Sequence, residues 1–370
     1  MFKIEDEMNN ILLGVGPTQI SPEAILAFKK EIYDCEHEAT KNIVMGLEKK
    51  INYLFNCSRC SFVIPGTGST GMEACLTNLI IPKDVVVVCV NGTFGKRIAD
   101  IASILKAHVI KVESNIGEGV DLKKLEDILS KYTVKLVCLV HVETSTGTMD
   151  SIENVSKLTR KYGTLFLLDA VASLGGCDLC LDKFEVDMVY STTQKCLNGP
   201  AGLTIISCTN YIMNYLKKNQ SRRSWCWDFV NIYEHVQRGV YPFTTPISLI
   251  YTLDKILDSI ATIGVYEYYD RQYECSEMIK NELCRRGFRL VTNDGYEAPM
   301  LKVFMVPEGV DVFRLKKRLQ NDFGIMISTG LGSIKEKTIR IGTMGNSAKV
   351  EYVSRLINAI DICLGGDYGD

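Results

Sequence analysis

The sequence has no long stretch of one charge sign. Its 370 residues carry 42 basic and 44 acidic side chains, which gives a formal net charge of −2 at pH 7. A surface that binds nucleic acid or anionic lipid needs a concentration of positive charge, which neither half of this chain supplies. We therefore expect small molecules or other protein subunits as partners, and neither nucleic acid nor a membrane.

Long apolar runs are also missing. No stretch reaches the roughly 18 uncharged apolar residues that a membrane-spanning helix needs. The opening MFKIEDEMNN has acidic residues where a secretory signal would have an apolar core. These features predict a soluble, cytoplasmic protein, and the 14 cysteines are then expected to be mostly free thiols, because the cytoplasm is reducing.

Histidines are absent from the neighbourhood of the two C-x-x-C pairs. Cys57 with Cys60, and Cys177 with Cys180, have a spacing that occurs in zinc sites. The two pairs lie far apart in the sequence, however, and lack the further ligands that a zinc motif would bring. Coincidence in a cysteine-rich chain is the better interpretation, so we expect no metal.

Apolar runs alternate with segments of helical period between residues 60 and 208. The runs are DVVVVCV (84–90), AHVIKV (107–112), VKLVCLV (134–140), TLFLLDA (164–170), DMVYST (187–192) and LTIISC (203–208). Strands that are apolar on both faces and alternate with helices predict an α/β fold with a mainly parallel sheet covered by helices. Ligands of such sheets bind beyond the carboxyl ends of the strands.

The pattern changes after the turn YPFTTP (241–246). Two long amphipathic helices follow, then short strands, a helix near 311–322 and the closing stretch AKVEYVSRLINAIDICL. This order predicts a smaller α+β domain. The expected division is an N-terminal segment (1–15), a large domain (16–250) and a small C-terminal domain (251–370), with no internal repeat.

Three features near the strand ends suggest a site. PGTGSTGMEA (65–74) places glycines and hydroxyl residues before a helix, where free N–H groups bind anions, although it matches neither the Walker pattern nor the dinucleotide fingerprint. Asp169 ends an apolar strand and Lys195 follows another; alone, the first could be a helix cap and the second a solvated charge. Together, a phosphate site, a buried carboxylate and a lysine are the groups that hold pyridoxal phosphate.

With these residues, the chain resembles the class V aminotransferases of the fold type I pyridoxal phosphate enzymes, especially the alanine–glyoxylate and serine–pyruvate aminotransferase group. The resemblance covers nearly the whole length and rests above all on D-x-V-A-S-x-G-G followed by S-x-x-Q-K-x-L-x-x-P-x-G. The other matching segments are LLGVGPTQISP, GTGSTGMEA, VNGTFGKRIADIA, HVETSTGTMD, YPFTTPISLIYTL and IRIGTMGNS. It implies a large domain with a mainly parallel seven-stranded sheet and a smaller C-terminal α+β domain.

The resemblance also implies roles for single residues around the cofactor. By matching position, Lys195 forms the Schiff base and Asp169 pairs with the pyridinium nitrogen. Phe94 takes the place of the aromatic ring stacked on the cofactor, commonly a tryptophan, and Val171 packs on the other face. The remaining cofactor contacts are at the phosphate, Thr67, Gly68, Ser69 and Gln194, and near the phenolic oxygen, Thr144.

Two further implications concern the second subunit and the substrate. Tyr241 and Thr244 match residues that reach the phosphate from a partner chain, which implies a homodimer with shared active sites. Arg340 in IRIG matches the arginine that binds the substrate carboxylate, because a guanidinium forks onto two oxygens. This residue would suit an α-amino acid or a 2-oxo acid.

The chain departs from the family pattern in places that bear on the substrate. GVGP replaces G-P-G-P near the start, and the stretch 33–42, which includes His37 and Glu38, diverges where the family shapes its substrate pocket. His37 and Glu38 could contact substrate or lie in a solvated loop. The unusual SRRSWCWD brings together Arg222, Arg223, Trp225 and Trp227.

The expected activity is transamination from a small donor of the alanine or serine type to a 2-oxo acid such as glyoxylate or pyruvate. One alternative is transamination between 2-aminoethylphosphonate and pyruvate, with Arg222 or Arg223 holding the phosphonate. Another is a cysteine desulfurase or lyase, which needs a mobile cysteine. Cys196 follows Lys195 directly, but it does not lie in a recognisable mobile loop.

Overall fold

A seven-stranded sheet forms the centre of the fold. The computed structural model describes residues 10–30, 33–219 and 223–365. In the order in which they lie side by side, the strands are Cys60–Gly66, Gly202–Cys208, Met188–Thr192, Leu165–Asp169, Leu136–Val140, Val85–Val90 and His108–Glu113. Gly202–Cys208 runs antiparallel to both of its neighbours, and the other neighbouring pairs are parallel. The predicted α/β fold with a mainly parallel seven-stranded sheet is confirmed.

The first strand, Cys60–Gly66, is not among the six predicted apolar runs. It contains Pro65, which pairs with Leu203, and proline signals a turn more often than a strand. Because this strand lies at the edge of the sheet, the missing N–H of the proline disrupts no ladder on its outer side. The six predicted runs all form strands, with bounds within a residue or two of the predicted ones.

Helices surround this sheet and share its apolar core. The strand residues Val87 and Phe166 are completely buried in that core. Asp121 and Ser151 begin two of the helices, since each side chain accepts a hydrogen bond from the backbone N–H three residues later. The helices are Pro22–Phe28, Glu38–Phe55, Gly68–Leu79, Thr93–Ile104, Leu122–Lys131, Ile152–Lys161, Asn210–Asn219, Phe229–Val236 and Ile247–Ile263.

A second, smaller α+β region has its own sheet and core. Its antiparallel strands, in spatial order, are Arg289–Leu290, Leu301–Met305, Thr338–Gly342 and Ser328–Thr329, and its helices are Val265–Arg285, Val312–Phe323 and Val350–Gly365. The strand Ile11–Leu12 pairs with Ile325–Met326, and Ile11 and Leu13 belong to the same apolar cluster as Phe304. Residues 11–13 therefore pack with this region, while the predicted domain bounds stay a prediction.

A short hairpin and two 3₁₀ helices lie among the longer elements. Val142–Glu143 and Thr148–Met149 form a two-stranded hairpin, and Gly332–Ile334 and Gly345–Ser347 are short 3₁₀ helices. Within the described ranges, every helix is too short or too polar to cross a lipid bilayer.

The register of the seven-stranded sheet determines which residues meet at its carboxyl edge. Asp169, the last residue of its strand, pairs with Val140 on one side and with Tyr190 on the other. These three residues lie on neighbouring parallel strands, near the ends at which the strands run out. Side chains from the following loops therefore converge on one edge of the sheet.

Candidate active site

A cavity of about 240 Å³ lies at this edge of the sheet. Nine of the twelve predicted site residues line it: Thr67, Gly68, Ser69, Phe94, Thr144, Asp169, Val171, Gln194 and Lys195. Tyr241, Thr244 and Arg340 are not part of its lining. The fold thus brings together residues that are up to 128 positions apart in the sequence, from Thr67 to Lys195.

Lys195 lies against Val15 and Gly16. Its Nζ donates a hydrogen bond to the carbonyl of Val15. Gly16 has φ of +109°, and a β-carbon there would overlap the end of the lysine side chain, so position 16 needs glycine on both counts. Burial, together with the positive charge of Arg340, lowers the pKa of Lys195 to about 8.

Asp169 is buried and has a hydrogen bond on each oxygen. Oδ1 accepts from the N–H of Val171 at 2.8 Å, and Oδ2 accepts from the hydroxyl of Tyr190 at 2.7 Å. Burial raises the pKa of Asp169 to about 6, against the opposing effect of these two bonds. Tyr190 was not predicted from the sequence. It could have been noticed as the one tyrosine in the apolar strand Met188–Thr192, which pairs with the strand that ends at Asp169.

The predicted phosphate loop forms the start of helix Gly68–Leu79. Thr67 is its N-cap residue, with its N–H donating to Thr70 Oγ1 at 3.1 Å and its carbonyl accepting from Thr204 Oγ1 at 2.7 Å. The first N–H groups of a helix have no acceptor within the helix, so they are available to an anion. A β-carbon at Gly68 would come within 2.8 Å of Val171 Cγ2. Glycine at position 68 therefore lets this loop approach Val171, which follows the strand that ends at Asp169.

The guanidinium group of Arg97 lies over the ring of Phe94. The guanidinium carbon of Arg97 lies 4.9 Å from the ring centroid, and Nη1 of Arg97 donates to Ser69 Oγ at 2.9 Å. Arg97 also lines the cavity, although it was not among the residues predicted from the sequence. Its spacing from Phe94 could have indicated the contact, because residues three apart on a helix lie on the same face.

Arg340 lies beside the cavity, linked to it through Thr144. Nη1 donates to the Thr144 carbonyl at 3.0 Å and Nε donates to the Thr329 carbonyl at 2.7 Å. In the described part of the chain, no group accepts a hydrogen bond from Nη2. Burial lowers the pKa of the guanidinium to about 10, still far above neutral pH, so it stays charged.

Tyr241 and Thr244 lie away from the cavity of their own chain. Tyr241 is buried, and its hydroxyl finds no hydrogen-bond partner among the described residues. Thr244 is exposed. A buried hydroxyl without a partner is costly to the folded state.

The divergent segments also lie outside the cavity lining. His37 is the N-cap of helix Glu38–Phe55 and stacks on Tyr33 at 4.4 Å between ring centroids. Arg223 donates to the carbonyl of Ile80 and lines a separate surface groove with Trp227. Arg222 lies outside the described residues, and Trp225 is exposed.

The cysteines show neither a metal cluster nor a reactive thiol beside Lys195. Among the residues that the structure describes, no three histidine, cysteine, aspartate or glutamate side chains come together as a metal site requires. Cys196 is completely buried, its thiol donates to the Ala172 carbonyl at 3.2 Å, and burial raises its pKa far above the usual range. Such a thiol is neither mobile nor ionised at neutral pH.

Comparison with known proteins identifies the family. The aminotransferase class-V family matches residues 23–356. Alanine–glyoxylate aminotransferase of Callithrix jacchus is 30% identical over 357 residues, which cover 95% of this chain and 86% of that protein. The crystal structure of alanine–glyoxylate aminotransferase from Nostoc sp. has a TM-score of 0.94 and 30% identity, covering 98% of this chain and 97% of that one. Ureidoglycine–glyoxylate aminotransferase from Bacillus subtilis has a TM-score of 0.92 and 25% identity, covering 97% and 94%. The chain belongs to the class V aminotransferase family, and it is a transaminase.

Proposed function

We propose that this transaminase binds pyridoxal phosphate in the cavity around Lys195 and transfers an amino group from a small donor of the alanine or serine type to a 2-oxo acid such as glyoxylate or pyruvate. The observation that carries the proposal is the meeting of Lys195, Asp169 and the start of helix Gly68–Leu79 around one cavity. The relatives that act on alanine and glyoxylate support the choice of substrates. The cytoplasmic location expected from the sequence remains a prediction.

The residues present fit the cofactor. Lys195 would hold it as a Schiff base, and Asp169 would face the ring nitrogen with a carboxylate whose oxygens are already fixed by Val171 and Tyr190. The free N–H groups after Thr67, with Ser69 and Gln194, would hold the phosphate. When bound, pyridoxal phosphate accepts electrons from the bonds of the donor's α-carbon.

The protein's own contribution is proton transfer and orientation. An amine with a pKa of about 8 can both take up and release a proton near neutral pH, which suits Lys195 to move the proton at the α-carbon. Arg340 would bind the carboxylate of the donor and of the acceptor through its Nη2 side, because Nε and Nη1 are already bound to carbonyls. Burial around these groups excludes water and strengthens each charge interaction.

The alternatives gain no support from the site. Of the two arginines that this alternative assigns to the phosphonate, Arg222 lies outside the described residues and Arg223 donates to the Ile80 carbonyl outside the cavity lining. Transamination of 2-aminoethylphosphonate is therefore not favoured over the main proposal. The buried Cys196 lacks the mobility and the thiolate that a desulfurase requires.

We also propose a homodimer with composite sites. Support comes from Thr244, which is exposed on the single chain and lies outside its own cavity lining. The hydroxyl of Tyr241 is buried within its own chain and adds no support. Leu26 and Phe28, exposed on helix Pro22–Phe28, add apolar surface that a partner would cover.

The activity is tested by mixing the purified protein with pyridoxal phosphate and a panel of donors: alanine, serine and 2-aminoethylphosphonate. Alanine or serine should remove the visible absorbance of the lysine-bound cofactor, and glyoxylate or pyruvate should restore it. Lys195→Ala should fold but lose turnover and the borohydride-reducible link, because no amine remains. A Lys195→Ala protein that still forms the reducible link would contradict the assignment, and loss of absorbance with the phosphonate donor alone would favour the alternative.

The titration of Lys195 predicts the pH dependence of cofactor uptake. The uncharged amine reacts with a carbonyl group, so the uptake rate of the cofactor-free protein should rise with pH, with a midpoint near the lysine's pKa of about 8. Arg340→Met removes a positive charge that lowers this pKa, so the midpoint should move to higher pH. Arg340→Lys keeps the charge and should not move it. Stopped-flow absorbance measures the rate, and an Arg340→Met profile that overlays the wild type contradicts the coupling.

Carboxylate recognition by Arg340 is tested by Arg340→Lys. The variant keeps the charge but loses the planar fork, which should cost about 2–4 kcal/mol of transition-state binding, or roughly 30- to 1000-fold in kcat/KM. The loss should appear with both the amino donor and the 2-oxo acid, since both carry a carboxylate. Arg223→Lys is the matched control, because Arg223 also donates to a backbone carbonyl but outside the cavity. Unchanged kcat/KM with a lower melting temperature would make Arg340 structural.

Composite sites are tested by complementation. Lys195→Ala chains should be inactive alone, and Tyr241→Phe/Thr244→Val chains should be only weakly active alone. Mixed dimers should regain activity, because one of their two sites combines an intact lysine with an intact partner tyrosine and threonine. Sedimentation of the wild type as an active monomer would contradict the dimer.

A further inference from the structure

Glu143 is a completely buried carboxylate that the roles above leave unused. It ends the short strand Val142–Glu143, one residue before Thr144. Oε2 accepts from the N–H of Phe94 at 2.8 Å and of Gly95 at 3.2 Å, and Oε1 accepts from Ser145 N at 3.1 Å and Oγ at 2.5 Å. All four partners are donors, which is the environment of an ionised carboxylate.

The carboxylate replaces a local cap for helix Thr93–Ile104. The residue before the helix, Gly92, has no side chain to accept from the first N–H groups, and Glu143 accepts from two of them. A negative charge at a helix N-terminus is also favoured by the helix dipole. A β-carbon at Gly92 would overlap the Glu143 side chain and Ser145 Oγ, so glycine at this position permits the contact.

The same carboxylate fixes the turn that carries Thr144. Ser145 Oγ donates to Glu143 and accepts from the N–H of Thr93 at 3.0 Å, so the turn and the helix start are joined twice. The carbonyl of Thr144, inside this turn, accepts from Arg340. One buried group therefore connects the segments that carry Phe94, Thr144 and Arg340.

Burial of Glu143 is costly, and the surroundings show what offsets the cost. Removing a carboxylate from water destabilises the folded state unless hydrogen bonds and opposite charge compensate. Here four donors converge on the carboxylate, and the nearby Arg340, whose pKa the Glu143 charge raises, supplies positive charge. If Glu143 served only packing, an apolar side chain in its place would avoid this cost.

We propose that Glu143 is a positioning residue of this transaminase: its carboxylate sets the ring of Phe94 and the hydroxyl of Thr144 against the bound cofactor. The inference rests on the proposed function, since it takes Phe94 and Thr144 as cofactor contacts. It extends that function, because Glu143 is not among the residues that line the cavity and would act through backbone N–H groups.

The test is Glu143→Gln in the cofactor-loaded enzyme. The amide has a nearly identical shape, but its nitrogen is a donor and would face an N–H group, so the helix start and the turn must move. We expect the visible circular dichroism of the bound cofactor to change and kcat/KM to fall about 10- to 100-fold, as small misplacements at a reacting centre do. Wild-type kcat/KM and dichroism in a folded Glu143→Gln protein would overturn the proposal.

Asp187→Asn is the matched control. Asp187 is also buried and accepts from the N–H of Phe166 at 2.8 Å and from Arg160 at 2.6 Å, but at the amino ends of the strands. Its replacement should lower the melting temperature without changing the cofactor's dichroism. If both variants change the dichroism equally, the effect of Glu143 is general destabilisation and the proposal fails.

Two further variants separate positioning from other causes. In a Phe94→Leu background the loss of kcat/KM caused by Glu143→Gln should shrink, because part of its effect acts through the phenyl ring. An undiminished loss would count against the proposal.

Should Glu143→Gln fail to fold, Ser145→Ala replaces it as the test. It removes one donor to the carboxylate and should still alter the dichroism, whereas an unaltered spectrum and kcat/KM would overturn the idea. A wild type that neither binds pyridoxal phosphate nor transaminates would instead refute the proposed function.

Discussion

Removal of charged groups from water at the carboxyl edge of the sheet is the constraint on which the site depends. Asp169 and Glu143 are buried acids, and Lys195 and Arg340 are largely buried bases. Burial favours the neutral form of each group, so it raises the pKa of the two acids and lowers the pKa of Lys195 and of Arg340. The hydrogen bonds to the two acids oppose that shift, so the fold must aim N–H and O–H donors at them. The strand ends and helix starts at this edge supply those donors.

Close approach of segments follows from the same requirement. Donors reach a buried carboxylate only if the backbone comes near it, and glycine is present where a side chain would intervene. Gly92 admits Glu143 and Ser145, Gly68 admits Val171, and Gly16 admits the end of Lys195. One glycine in each of NGTFG, GTGST and GVGP is thereby explained by close packing against a neighbouring side chain.

The sequence predicted the elements and residues whose signals are local. Buried strands of the large sheet read as apolar runs, and motif matches led to nine residues that line one cavity. What it missed depends on three-dimensional neighbours. Strand Cys60–Gly66 contains a proline that only an edge position allows, and Tyr190 matters because sheet register sets it beside Asp169. Glu143 sat inside a quoted motif, but its importance comes from a helix start about 50 residues earlier.

The site also joins the seven-stranded and the four-stranded sheets. Arg340 comes from the small sheet and donates to Thr144 beside the large one. Strand Ile11–Leu12 pairs with Ile325–Met326 of the smaller region, and a few residues later the carbonyl of Val15 accepts a hydrogen bond from Lys195. A carboxylate bound to Arg340 would weaken the effect of its positive charge on Lys195 and so raise the pKa of the amine. Substrate charge and the proton affinity of the lysine are then linked through one guanidinium, and the amine would bind a proton more readily when the substrate carboxylate is in place.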